Sequence, residues 1–287
     1  MAMLDSPLQA ERLRIWQDRF FTAVAWSVGL LGFMLPISIV GFLLYRGADA
    51  IRWDLLWQSP RGFPLGSSGG IGPAIEGSLA LVIIGLAVSL PFGIGGAIYL
   101  TQYSASDRLR RTVSFYGQCF AGMPAVIYGL FGYSFLVVYL QMRTSLLAGG
   151  ITLGLVMLPV ILIGAYEAMR AVEAKYREAA LALGVSRVYA FRKNIWPKAR
   201  PGLMAAAVLA GGHAFGSAAP VLLTASVVMS KSGLDLSSPV MTLPTHLYYL
   251  VSEGRSLEQA YATALILVVL LLTANFSVML IKSWQKR

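Results

Sequence analysis

An imidazole and a hydroxyl stand four residues apart, at His213 and Ser217, inside LMAAAVLAGGHAFGSAAPVLLTASVVM, a run from Leu203 to Met229 that is otherwise almost wholly apolar or small. An ionisable group in such surroundings is costly without a partner, so it marks a place where a polar solute or neighbour is met. Imidazole supplies one or two donors and is charged only near or below its usual pKa of about 6.5. With Pro220 and Thr224, these residues form a candidate lining for a polar passage. The competing reading is structural, because a Gly/Ala-rich face also lets another helix approach closely.

A second candidate lies at CFAGMPAVIYGLFG, residues 119–132, where Pro124 falls among Gly122, Gly129 and Gly132 and precedes Tyr128 by four residues. The pattern predicts a broken helix, and in a membrane a break is tolerated only where protein or a cavity satisfies the freed carbonyls. Pro124 and Tyr128 are therefore candidate pathway residues, with plain kinked packing as the alternative. Bond-making chemistry finds no support. HExxH, Walker A and GxSxG patterns are missing, as is any Cys/His cluster, and the single cysteine, Cys119, reads as a small buried hydrophobe. The expectation is a chain with no catalytic residue, no metal and no bound cofactor.

The elements that must hold these residues are membrane helices. The chain is 57% hydrophobic and only 13% charged, with a mean hydropathy of +0.68, where soluble domains carry about a quarter of their residues charged. Six apolar runs emerge, near 21–45, 75–100, 113–140, 147–165, 202–229 and 257–281. They predict an all-α integral membrane protein of six transmembrane helices, comprising a lead-in at 1–20, a membrane domain at 21–281 and a tail at 282–287. The lead-in lacks the pattern of a cleaved secretory signal and is expected to be retained. The loop at 230–256 is expected to carry a short interfacial helix with His246, Tyr248 and Tyr249 near the head groups. The glycines of SLPFGIGGAIYL, residues 89–100, read as packing devices.

Charge fixes the orientation. Of the 23 Lys and Arg residues, 17 lie on the side of the N-terminus and 6 on the other, which predicts both termini in the cytoplasm. The net charge of +10 is gathered beside apolar runs, as expected for contact with membrane lipid rather than nucleic acid. Eight of the basic residues fall in EAMRAVEAKYREAALALGVSRVYAFRKNIWPKAR, residues 167–200. Its first half is rich in helix formers, Gly184 breaks the run, Ser186 is placed to cap a second helix, and Pro197 ends or bends that one. A cytoplasmic two-helix element of this length exceeds what a topology signal needs, so it reads as a partner surface. A passive channel lacks a filter sequence here, and an ion-driven carrier lacks acidic residues within its spans.

Glu178-Ala179-Ala180, three residues, Gly184, nine residues and then Asn194-Ile195-Trp196-Pro197 resembles the EAA loop of binding-protein-dependent ABC importer permeases, with Asn194 and Trp196 where Ile and Leu are usual. The resemblance implies a type I importer permease fold, and a coupling element, including Arg187, seated on the ATPase subunit. GGIGPAIEGSL (69–79), PFGIGGAIYLTQYS (91–104), GMPAVIYGLFG (122–132), GSAAPVLLTA (216–225) and LPTHLYYLVSEG (243–254) are similar to the PstA-type permeases of phosphate importers. That likeness implies a bacterial inner-membrane subunit paired with a PstC-like permease over two copies of a PstB-like ATPase, which holds the ATP and Mg. A PstS-like periplasmic binding protein would deliver the phosphate.

One departure concerns the cargo. Alignment on Pro220 sets His213 where the family pattern has arginine and Ser217 where it has glutamate, with Gly216 and Ala219 kept. A guanidinium is always charged and forks onto an oxyanion, which histidine does not reproduce. Phosphate is the expected cargo; another oxyanion or small solute is the alternative, and a non-transporting regulatory or structural subunit is the alternative of another class.

Overall fold

The computed structural model describes residues 7–62, 68–104, 106–182, 184–228, 233–252 and 256–284, with side chains outside 7–13, 173–182, 187 and 278–284. In chain order the helices are α1 (Pro7–Gly47), α2 (Trp53–Trp57), α3 (Gly72–Ile98), α4 (Asp107–Ala121), α5 (Ala125–Gly132) and α6 (Leu146–Ala182), followed by α7 (Arg187–Ala190), α8 (Trp196–Phe215), α9 (Ala219–Thr224), α10 (Leu243–Ser252) and α11 (Leu257–Trp284). A two-residue hairpin, β1 (Pro60–Arg61) with β2 (Ser68–Gly69), lies between α2 and α3. Wide π-helical turns extend α3 over Tyr99–Tyr103, extend α5 over Tyr133–Tyr139, and join α7 to α8 over Phe191–Ile195.

Helix α6 is the central post. Of its most apolar stretch 61% is buried, against none for α1. It meets α3 where glycines leave room: a Cβ added at Gly154 would stand 3.0 Å from Val88 Cβ and 3.1 Å from the Gly85 carbonyl oxygen. This close approach is how membrane helices associate without a hydrophobic drive between them. Leu81, Leu153, Met157, Ile161, Ala210 and Val221 fill the space between α3, α6, α8 and α9. Buried hydroxyls are satisfied on their own helices, Ser89 donating to the Gly85 carbonyl at 2.7 Å and Thr152 to that of Ala148 at 2.8 Å. Of the packing glycines expected at 89–100, Gly93 and Gly96 abut Ile161 and Leu162, whereas Gly95 meets nothing within 4 Å. Helix α1 packs outside on α11, with Phe42 edge-on to Tyr261 at 5.7 Å, and leaves Trp26 and Phe33 exposed.

Among the described residues the six expected spans are matched in part. Four helical stretches are long and apolar enough to cross a membrane: Arg14–Ala50, Gly72–Tyr103, Leu146–Val172 and Leu257–Ser277. The expected third span is instead a pair, Asp107–Ala121 and Ala125–Tyr139, bent by 92° and counting as a fifth span only if taken together. Pro124 has no N–H to continue the helix, and its predecessor is driven out of the helical region. The expected fifth span, 202–229, is also broken, since α8 stops at Phe215 and α9 lasts six residues. Beyond it the chain turns into a bridge between Ser226 and Val240. The apolar part of α8, residues 201–215, is only about 22 Å long, short of a hydrocarbon core of about 30 Å.

Two smaller expectations are also corrected. Cys119 is exposed, because α4 turns Gly117 toward Ile163 of α6 and leaves its opposite face open. His246 is 4% exposed rather than placed at head groups. The hydroxyls of Thr242 and Thr245, 2.8 Å apart, cap the start of α10, and the Leu243 amide donates to Ser78 Oγ of α3 at 2.8 Å, which together turn that end inward. Of the three residues only Tyr248 is exposed, by about half of its surface. Ser78→Ala would leave a buried N–H unpaired, so it is expected to cost about 1–3 kcal/mol. Hydrogen exchange at α10 should accelerate before that of α6; unchanged protection at Leu243 would refute the anchoring role.

The loop after α9 closes on the start of α6. The Leu146 and Leu147 amides donate to the Ser238 and Leu236 carbonyls at 2.9 and 3.0 Å. Within this loop, hydrogen bonds from Ser238 and then Ser237 hold the Asp235 carboxyl below the usual carboxylate range.

Candidate functional site

The break expected at Pro124 and the unexpected one after Phe215 meet in space. Helix α5 crosses α9 backbone to backbone: a Cβ on Gly129 would lie 2.8 Å from Pro220 Cα and 3.2 Å from the Ala219 carbonyl oxygen. Pro220 is buried at the first turn of α9, where its missing N–H costs nothing. The break at Pro124 is satisfied from within. The Phe120 carbonyl accepts from the Met123 amide at 3.0 Å and from the Tyr128 hydroxyl at 2.8 Å, and the Gln118 carbonyl accepts from the Gly122 amide at 3.0 Å. Tyr128 therefore braces the bend between α4 and α5, while Pro124 stands exposed on it.

At the second break the Ser217 hydroxyl donates to the His213 carbonyl at 2.8 Å, satisfying an acceptor left over where α8 ends. The Ser217 and Gly216 amides tighten the same turn onto Ala214 and Gly212. His213 is exposed in the last turn of α8, free to face a solute or another subunit. Thr224 is different. It is fully buried, and its hydroxyl donates to the Pro220 carbonyl at 2.7 Å. The structure thus joins α5, through Gly129, to Pro220 of α9, whose carbonyl holds Thr224; Tyr128 turns instead to the Phe120 carbonyl, and His213 and Ser217 lie at the end of α8 just before α9. The Gly129–Pro220 contact was not anticipated, although the glycines of 122–132 were its trace in the sequence.

The polar stretch 167–200 is built by two helices about a glycine. Helix α6 has 37 residues, about 56 Å, so its polar end extends well past a hydrocarbon core. Glu178, Ala179 and Ala180 lie on this helical backbone, and their side chains, with that of Arg187, are outside the described set. Gly184 has φ +63°, a left-handed conformation that glycine adopts without steric cost. Ser186 Oγ accepts from the Tyr189 amide at 3.4 Å as the start signal for α7. Pro197 does not end the second helix: it sits in the first turn of α8, past the wide turn Phe191–Ile195, so the helix continues toward His213. An open cleft of about 870 Å³ beside α7 is lined by Ser186, Tyr189, Arg192, Lys193 and Arg200, among others.

Among the described residues no group of three or more His, Cys, Asp or Glu could hold a metal ion. The arrangement offers neutral donors, packed breaks and a projecting helical pair. Residues 89–287 match the family described as "Binding-protein-dependent transport system inner membrane component". The chain belongs to that family. Among relatives of this inner membrane component is the "Phosphate transport system permease protein PstA 2" of Mycobacterium bovis, 32% identical over 84% of this chain and 79% of the relative. The "Phosphate transport system permease protein PstA homolog" of Mycoplasma pneumoniae is 30% identical over 92% of this chain, which spans only 40% of that relative's length. Among solved structures, an inward-facing form of the MetNI methionine ABC transporter superposes with a TM-score of 0.61 at 22% identity, covering 76% of this chain and 95% of that one. That likeness shows the fold alone, an all-α, multi-span architecture of the kind seen in that transporter.

Proposed function

We propose that this chain is one of two permease subunits of an ATP-driven importer of inorganic phosphate in a bacterial inner membrane, with both termini in the cytoplasm. The observation that carries the cargo assignment is the likeness, over more than four-fifths of the chain, to relatives whose printed names are phosphate permeases. Its partners are a PstC-like permease, two copies of a PstB-like ATPase and a PstS-like binding protein. The chain binds no cofactor itself, since ATP and Mg act in the ATPase. The segment 167–200 is the coupling element, presenting Glu178, Ala179, Ala180, Gly184, Arg187 and Pro197 to the ATPase. His213 and Ser217 border the passage, whose walls are set by the α5–α9 crossing with Pro124, Tyr128, Pro220 and Thr224. Its mechanism is a population shift: ATP binds the two states with different affinity, and the projecting end of α6 transmits the change to the spans.

A second reading, another oxyanion as cargo, is favoured by His213 and Ser217 standing where the family pattern has arginine and glutamate. Competition between phosphate, sulfate, molybdate and phosphonates in vesicles holding the assembled complex separates the two. Phosphate is expected to compete best; exclusive transport of a non-oxyanion solute would sink both readings. Within that assay His213→Arg is expected to keep phosphate uptake, and His213→Ala to lower it about tenfold, as expected for losing one hydrogen bond to a charged ligand. Unchanged uptake in His213→Ala would remove His213 from the passage.

A further inference from the structure

Charged side chains from two helices line one cleft of about 610 Å³ between α4 and α6. Helix α4 contributes Asp107, Arg110 and Arg111 from one face, and α6 adds Glu167 and Arg170. Part of this charge is internally committed. Arg110 Nη1 pairs with Asp107 at 3.0 Å, and its Nη2 donates to the Ser104 carbonyl. Arg110 Nε is buried without a hydrogen-bond partner. Arg111 uses only its Nε, toward the Asp107 carbonyl at 3.4 Å. The Arg170 guanidinium lies 5.9 Å from the centre of the Tyr166 ring, which holds it by a cation–π contact. With Asp107 offset by Arg110, two guanidiniums face one carboxylate, Glu167.

We propose that this cleft holds the phosphate of an anionic phospholipid head group. Its depth argues for lipid. On α6 it sits at Tyr166, Glu167 and Arg170, where the apolar helix turns polar, and on α4 it sits where the arginines give way to Phe115, Tyr116 and Phe120, all at least half exposed. A basic start followed by exposed aromatic residues is the pattern of a helix lying at a membrane interface. Basic clefts between membrane helices at that level take lipid head groups.

The test is lipid retention by the full chain in its purified complex, read by native mass spectrometry after exchange into phosphatidylglycerol or phosphatidylcholine. Phosphatidylglycerol is expected to be retained preferentially, with Arg111→Gln and Arg170→Gln each weakening retention about fivefold. The lysine variants at both positions should keep the preference, which separates lost charge from lost folding. Arg108→Gln, on α4 but outside the cleft, should change retention less than twofold. Equal retention of the two lipids, or an equal effect of Arg108→Gln, would overturn the proposal. Displacement by millimolar inorganic phosphate would overturn it too, marking a free-oxyanion site instead. None of these outcomes depends on the cargo.

Discussion

Gly184→Val is expected to lower ATP-driven uptake at least tenfold and to weaken co-purification of the ATPase, while Gly184→Asn leaves uptake within about twofold of the original. The residue has φ +63°, and a Cβ there would meet nothing within 4 Å. The penalty is therefore one of backbone conformation alone. A left-handed non-glycine residue costs roughly 1–2 kcal/mol, more when β-branched and less for asparagine. That is enough to shift the two-helix element away from the geometry the ATPase must meet. Glu178, six residues earlier on the continuing helix, is expected to matter through its charge, and Glu178→Lys combined with Gly184→Val should abolish ATPase association. Full ATP-driven transport by that double variant would show that the coupling element lies elsewhere.

Gly129→Leu is expected to be as damaging for a different reason. The atoms its side chain would strike, Pro220 Cα and the Ala219 carbonyl oxygen, belong to the backbone of α9 and have no rotamer into which to retreat. Overpacking of this kind typically costs about 1–3 kcal/mol. It would part the two short helices that carry the broken stretches, so uptake should fall at least tenfold and thermal unfolding should begin at lower temperature. Gly95→Ala is the control, since a Cβ there meets nothing within 4 Å. Equal loss of function in both variants would show that the α5–α9 crossing has no special role.

The long apolar helices were legible because each carries its own evidence, a run long enough to cross and basic residues at its ends. The two-helix stretch was legible for the same local reason: Ser186 as cap and Gly184 as turn are signals within a few residues of the structure they specify. The broken spans were harder. Pro124 announced its break, but the 92° bend depends on what α5 packs against, and that partner, Pro220, lies about ninety residues away. Residues 202–229 read as one span because hydropathy cannot register that Gly216 and Ser217 release the helix while Pro220 begins another. Thr224 shows the same limit, since its composition allows a lining role and only the fold shows its hydroxyl committed to Pro220. His246 read as interfacial because its capping threonines and Ser78 come from separate parts of the chain.

The most direct measurement is phosphate accumulation in proteoliposomes holding the chain with its second permease, ATPase and binding protein. Accumulation against a gradient that requires ATP, the binding protein and an intact Gly184 is the predicted result. Phosphate flux that persists without ATP, or an assembled complex that accumulates phosphate equally well without this chain, would contradict it.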